Sequence, residues 1–301
     1  MSVDQFFGWV PMPDESERIA AAQPIPSMAD VTWLKDYGKG KTVLLYQCLE
    51  KATGKPFPVR DQGKAGTCVS QGAAAAMDCL IGVQIIMGNE NIRWDAESAT
   101  EPIYGGSRVE VGGGRLWGDG SVGAWAAQWL TEWGNIQRGK YGNYDLSQYS
   151  IPISKDWGRH GVPDDLETTI KQYPVKAFTK IGGYTEARDA LASGYPISVA
   201  SNQGFTYKRD KDGFSTPSGR WGHQMAVLGV CDDPKRPGVL ICNSWNTYLQ
   251  GSPKGQFNIP DNMFFVDAEV FDRMAGQGDT FAFAHAVGLP APADNFNFPL
   301  F

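Results

Sequence analysis

The stretch that decides the fold is VRDQGKAGTCVSQGAAAAMDCL, Val59 to Leu80. A loop, Gln62-Gly63-Lys64-Ala65-Gly66, leads into an alanine-rich run that opens at Thr67 or Cys68. Val69, Ala73, Ala76, Met77, Leu80 and Ile81 recur at steps of three and four, which predicts an amphipathic helix stopped by Gly88-Asn89. Cys68 therefore stands where loop becomes helix. The first turn of a helix leaves backbone N–H groups unpaired and carries partial positive charge. Such a site, beside a protonated histidine, lowers a free thiol pKa from about 8.5 to roughly 3.5–7.5. That suits a nucleophile. Cys48, Cys79, Cys231 and Cys242 stand in apolar surroundings and read as small buried hydrophobes.

A nucleophilic thiol needs a base, and the chain holds three histidines. His223, in GRWGHQMAVLGV, heads an apolar strand directly after Gly222, which leaves room for a substrate backbone. His160 and His285 lack such surroundings and read as structural. Asn243, in LICNSWN, ends the next predicted strand, so its carbonyl can orient the imidazole, and Trp245 can shield that bond from water. Attack on an amide builds charge on oxygen, which preset donors must meet. The Cys68 backbone N–H and the Gln62 side-chain amide are the candidates, with Gly66 lining the same loop.

The 301 residues allow one large domain or two lobes. Formal net charge is −6 with no basic stripe, which argues against nucleic-acid binding. No apolar run is read as spanning a membrane, and MSVDQFFGWVPMPDESERIAAA lacks the pattern of a secretion signal. Five cysteines without a CxxC argue against a disulfide framework or a structural zinc site and suggest a reducing, cytoplasmic setting. No cofactor or metal is expected. Residues 56–175 read as helical and loop-rich, with AWAAQWLTEWG, PDDLETTIKQY and EARDALASG as further helices and YGGSRVEVGGGRLWGDGSVG as a long, flexible rim loop. YPISVAS, HQMAVLGV and GVLICNSW read as strands. The expectation is an α+β chain: an N-terminal extension (1–55), a helical lobe (about 56–175), a β lobe (about 176–288) and a Pro/Phe tail (289–301).

Gln62, Gly63, Gly66 and Cys68, then Gly222-His223, then Asn243-Ser244-Trp245, resemble the papain-like cysteine peptidases, and most closely their bacterial and phage branch. His223 and Asn243 follow Cys68 by 155 and 175 positions, slightly more than the family spacing. The resemblance covers about Pro56 to Val266. It implies a two-lobe fold with the site in an interlobe cleft. It also implies a Cys68-His223-Asn243 triad, with Gln62 at the oxyanion and Gly66, Gly222 and Trp245 against substrate. The sequence departs from the family at Ala65, Val69 and Asn246, and a second Trp-Gly is missing from NTYLQGSPKGQ, on the leaving-group side. About fifty residues precede the domain, fewer than the usual pro-domain.

Three functions follow. The first is a cysteine endopeptidase acting on a protein or peptide substrate. The second is a structural or adaptor protein, such as a virion component, meeting assembly partners through its N- and C-terminal segments, where Phe296, Phe298 and Phe301 lie among prolines. The third is acyl transfer to an amine, which shares the same acyl-enzyme. The N-terminal extension is also a candidate to lie across the cleft.

Overall fold

The computed structural model describes residues 7–171, 175–285 and 287–291. The chain begins with α1 (Pro13–Ala21), β1 (Thr42–Leu44), α2 (Tyr46–Thr53), α3 (Cys68–Ile86) and α4 (Thr100–Gly106). A π-turn at Ser107–Val111 continues α4, and α5 (Gly123–Glu132) follows. A small hairpin, β2 (Lys140–Tyr141) with β3 (Tyr144–Asp145), precedes α6 (Ile151–His160) and α7 (Asp164–Ile170). Then come β4 (Ala177–Lys180), α8 (Tyr184–Ala192), β5 (Ile197–Arg209), β6 (Ser215–Cys231) and β7 (Gly238–Cys242). The last elements are β8 (Met263–Asp267), α9 (Ala268–Ala275) and β9 (Asp279–Ala284). This is the expected α+β arrangement, a helical lobe followed by an antiparallel β-rich lobe.

Among the described residues the main sheet has seven strands, ordered β4-β9-β5-β6-β7-β8, with β1 also on β6. β5 begins at Ile197, opposite Val227, so the last residues of β6 would lose a partner on that side. β1 takes the vacated edge, pairing Thr42 with Cys231 and Leu44 with Gly229. α2 packs against α3. Part of the stretch expected as an extension thus supplies a strand and a core helix.

The sequence predicted one apolar face for α3. Instead every residue from Cys68 to Leu80 is buried, because the helix runs through the interior between α2 and β6. Small residues permit this. At Gly82 a Cβ would lie 2.5 Å from the backbone of Leu49, so only glycine lets α2 approach. At 19 residues α3 is also long and apolar enough by composition to cross a membrane, contrary to the expectation that no run came near that length. Its burial within the protein marks it as a core helix.

The glycine-rich stretch expected as a flexible rim is helical in its first half and fixed in its second. Gly106 lies flat against the Trp129 ring, leaving no space for a side chain. The buried Arg108 then donates to the carbonyls of Leu116 (3.1 Å), Gly118 (2.7 Å), Gly158 (2.8 Å) and Gly120. One guanidinium therefore holds residues 116–120 in place beside the cleft.

The lobes are stitched by two short segments. The Gln62 N–H donates to Ser244 O at 3.0 Å, and the Asn246 N–H donates to Arg60 O at 2.9 Å. Arg60 is itself buried and paired with Asp78 on α3. At the far end, Leu289 O accepts from the Trp33 indole at 2.9 Å. Residues 292–301, including the three tail phenylalanines, lie outside the described residues.

Candidate active site

Cys68 is the first residue of α3, as its place in the sequence predicted. It is fully buried, and the Gln224 side-chain amide of β6 donates to the carbonyl of the next residue, Val69, at 3.1 Å. Gln224 directly follows His223, so the first turn of α3 from the helical lobe meets the strand of the β lobe that carries the imidazole.

His223 comes from β6 and Asn243 directly follows β7, and these strands pair antiparallel with Ala226 opposite Cys242. That register puts the two side chains together. His223 Nε2 and Asn243 Oδ1 are 2.8 Å apart. Asn243 Oδ1 also accepts from the Ser244 N–H at 2.7 Å, so the carboxamide is oriented with its oxygen toward the ring and Nε2 carries the proton. Among the described residues Nδ1 has no hydrogen-bond partner, leaving its lone pair for an incoming proton. Trp245 covers the ring, with centroids 4.6 Å apart and planes tilted by 32°.

Gln62 is buried and fixed at both ends of its carboxamide. Its oxygen accepts from the Ser244 hydroxyl at 2.8 Å, and its nitrogen donates to Ala65 O at 2.9 Å. This places an amide nitrogen within the loop that leads into Cys68. Asn246 stands where the family pattern has glycine. Its φ is +55°, in the left-handed region that asparagine tolerates, so the local turn survives the exchange.

The cleft is occupied by the chain's own residues 7–10. The N–H groups of Gly8 and Trp9 donate to Gly222 O at 3.1 and 3.0 Å. Across the cleft, Ser121 N–H donates to Gly8 O at 2.8 Å and Val10 N–H donates to Ser121 O at 2.9 Å. Beside Gly222 the segment passes close by: an added Cβ would meet Trp9 O at 3.4 Å. The segment is held by Asp279, which is buried. Its carboxylate accepts from the Trp9 indole (2.7 Å), the Ser16 hydroxyl (3.0 Å) and the N–H groups of Gly123 and Ala124 (both 2.8 Å) at the start of α5.

This closure sets the electrostatics. Burial pushes the Cys68 thiol up to about 11, and nearby backbone amides only partly offset it. Burial likewise pulls His223 down to about 4 against the opposing bond to Asn243. The lowered thiol pKa expected from the helix N-terminus is therefore not the property of this closed state. Both shifts leave thiol and imidazole neutral at pH 7.

Gly66 sits on the other side of the segment, its N–H 3.3 Å from Asp119 Oδ2. Sequence reasoning missed Ser121, whose signal was a polar residue just before α5 in GDGSVG. It also missed Asp279, for which no local signal exists. His160 is exposed and paired with Asp156 at 2.9 Å, while His285 stacks on Tyr195; neither belongs to the site. Cys48, Cys79, Cys231 and Cys242 are buried, free thiols.

The two-lobe architecture is that of the papain-like cysteine proteases. Xylellain, a cysteine protease from Xylella fastidiosa, matches it with a TM-score of 0.54 at 16% identity, covering 94% of this chain and 92% of that one. Procathepsin L 3 of the Tenebrio molitor larval midgut matches with a TM-score of 0.47 at 14% identity, over 85% of this chain and 78% of that one. Procathepsin B S9 from Trypanosoma congolense matches with a TM-score of 0.44 at 12% identity, over 92% and 82%. No family model and no curated protein matches the chain.

Proposed function

We propose that the protein is a cysteine peptidase of the papain-like type, of the bacterial or phage branch, held closed by its own residues 7–10. One observation carries the reading. Cys68 opens a helix whose Val69 O accepts from the Gln224 side chain at 3.1 Å, while the adjacent His223 is fixed through Nε2 by Asn243 at 2.8 Å. In the opened cleft His223 Nδ1 takes the thiol proton and the sulfur attacks the peptide carbonyl carbon. The oxyanion is met by the Cys68 N–H and the Gln62 amide. His223 then returns the proton to the leaving amine, and a thioester remains. Water, deprotonated by the same ring, releases the acid. Gly66, Gly222 and Trp245 line the substrate path. An amine in place of that water would give acyl transfer from the same intermediate.

The bound segment is not itself a substrate in this pose. Its Gly8 N–H is committed to Gly222 O at 3.1 Å. Its hydrogen bonds to Ser121 run parallel. The scaffold reading is less favoured, because residues 7–21, a candidate docking peptide, are docked on their own chain.

The test is labelling of Cys68 by an epoxide-type thiol reagent, with cleavage of a peptide library, in the wild type and in Gly8→Ala. Labelling confined to Cys68 and lost in Cys68→Ser supports the reading. A folded Gly8→Ala protein with an open cleft that neither labels nor cleaves overturns it.

A further inference from the structure

The leaving-group side of the cleft carries more aromatic surface than the missing Trp-Gly of the 245–256 loop suggested. Trp221 lies edge-on to Trp245 with centroids 4.7 Å apart, and 6.4 Å from His223. It precedes His223 by two residues on β6, at a register irregularity of that strand, and its ring lies beside the imidazole. Tyr207 lies beyond Trp221 at 6.0 Å, tilted by 34°, and Tyr248 packs edge-on to Trp245 at 5.6 Å. Phe205 backs Trp221 at 5.7 Å. The β5–β6 register shifts between Ser201 and Gln203, again between Gln203 and Phe205, and again between Phe205 and Arg209. Such irregularities re-aim side chains next to sites. Trp221 is buried, whereas Tyr207 is 43% exposed, so the array ends at the surface.

The chemistry of the site identifies which side of the scissile bond this surface serves. The amine that leaves must take its proton from His223, so it must lie against that ring. Among the described residues the aromatic rings around the imidazole are Trp245, Trp221 and Phe7. Phe7 belongs to the blocking segment. It sits edge-on to both His223 (6.5 Å, 75°) and Trp245 (6.4 Å, 62°) while remaining 38% exposed. A phenylalanine ring therefore already rests where the first residue of a leaving peptide would stand.

Resting on the peptidase reading above, we propose that this side of the cleft selects an aromatic side chain immediately after the scissile bond. Tyr207 and Trp221 are the residues that set the preference, beyond the Trp245 wall, and Phe7 is the built-in stand-in for the substrate ring. Edge-to-face and offset packing supply the recognition, favouring an aromatic over a small residue about two- to tenfold beyond its area burial.

Acyl transfer reads this subsite directly. The full-length Gly8→Ala protein is acylated with a small peptide ester and offered equal concentrations of phenylalaninamide and alaninamide. In each transfer the C–N bond forms and the C–S bond breaks. The amine proton passes to His223, and the sulfur departs as thiolate. Both amines compete for one acyl-enzyme, so the product ratio is independent of how much protein is folded. A phenylalanine-to-alanine product ratio of about ten is expected, falling two- to fivefold in Tyr207→Ser and close to one in Trp221→Val. A ratio near one in Gly8→Ala overturns the inference while the peptidase reading stands. A high ratio unchanged in both variants overturns the assignment to Tyr207 and Trp221. Failure to form any acyl-enzyme overturns both the peptidase reading and this one.

Discussion

The backbone of Gly8 packs directly on that of Gly66, so closely that a Cβ on Gly8 would lie 2.7 Å from Gly66 Cα and nearer still to its carbonyl. Real Cβ contacts do not come inside 3.0 Å, and both partners here are backbone, which cannot turn aside. Gly8→Ala is therefore expected to expel residues 7–10 without touching the proposed triad. Labelling of Cys68 should accelerate at least tenfold over the wild type. An unchanged rate would show that the segment does not limit access.

Closure has a pH signature of defined sign. His223 is held near 4, below its ordinary 6.5, so the unfolded chain takes up its proton first. Stability is then full above about pH 6.5 and falls as the pH drops toward 4, by about 3 kcal/mol in total. Among the described residues the groups around the imidazole are aromatic rings and Asn243, all uncharged, so none of them offsets this loss. The thiols act at the other end. Cys68 is pushed to about 11 and Cys48 and Cys242 to about 12, from 9.0, so stability falls again above pH 9. Thermal melts across pH should show a plateau between these limits. His223→Gln should flatten the acid limb; an acid limb of unchanged depth in that variant would contradict the assignment.

Gln62→Ala removes the proposed oxyanion donor and also leaves the Ser244 hydroxyl without its acceptor at 2.8 Å. Activity in the opened protein should fall about 10²–10³-fold, mostly in kcat. Stability should fall by about 1–3 kcal/mol. Peptide kinetics on a Gly8→Ala background measure the first and chemical denaturation the second. A loss confined to KM would assign Gln62 to ground-state binding instead.

Asn246→Gly should leave activity and melting temperature nearly unchanged, since φ is already +55°. Asn246→Val should cost about 1–2 kcal/mol, because a branched side chain clashes in the left-handed region. Equal melting temperatures for the two variants would show that the turn relaxes freely.

Asp279 accepts four hydrogen bonds, two from the N-terminal segment and two from the first turn of α5. Asp279→Ala should both destabilise the fold, by about 2–4 kcal/mol, and raise Cys68 labelling, because one carboxylate serves both tasks. Destabilisation without faster labelling would mean that Trp9 is held by other contacts.

Legibility in the sequence followed locality. Cys68 at a helix start, His223 after a glycine and Asn243 at a strand end are positions that a few neighbouring residues define. The β6–β7 pairing that joins the last two needs only a short connection. The glycine-rich stretch 104–123 misled because its order comes from Trp129 and Arg108, and glycine content alone mimics a loop. α3 misled because spacing reports one apolar face, whereas alanines on the other faces are as readily buried. The course of residues 7–10 was open for a plainer reason. The bond that anchors Trp9 spans 270 positions, and nothing near either end announces the other.

The plug and the thiol it covers are parts of one polypeptide. A tethered blocker faces its site at a local concentration of the order of millimolar or more, whatever the amount of protein in solution. Diluting the sample cannot relieve it, and a modest intrinsic affinity suffices to keep nearly every molecule silent. On the proposed peptidase reading, onset of turnover is governed by an event within each molecule, a strand displaced or a tether severed. It should proceed at a first-order rate until freed molecules begin to cut the tethers of others.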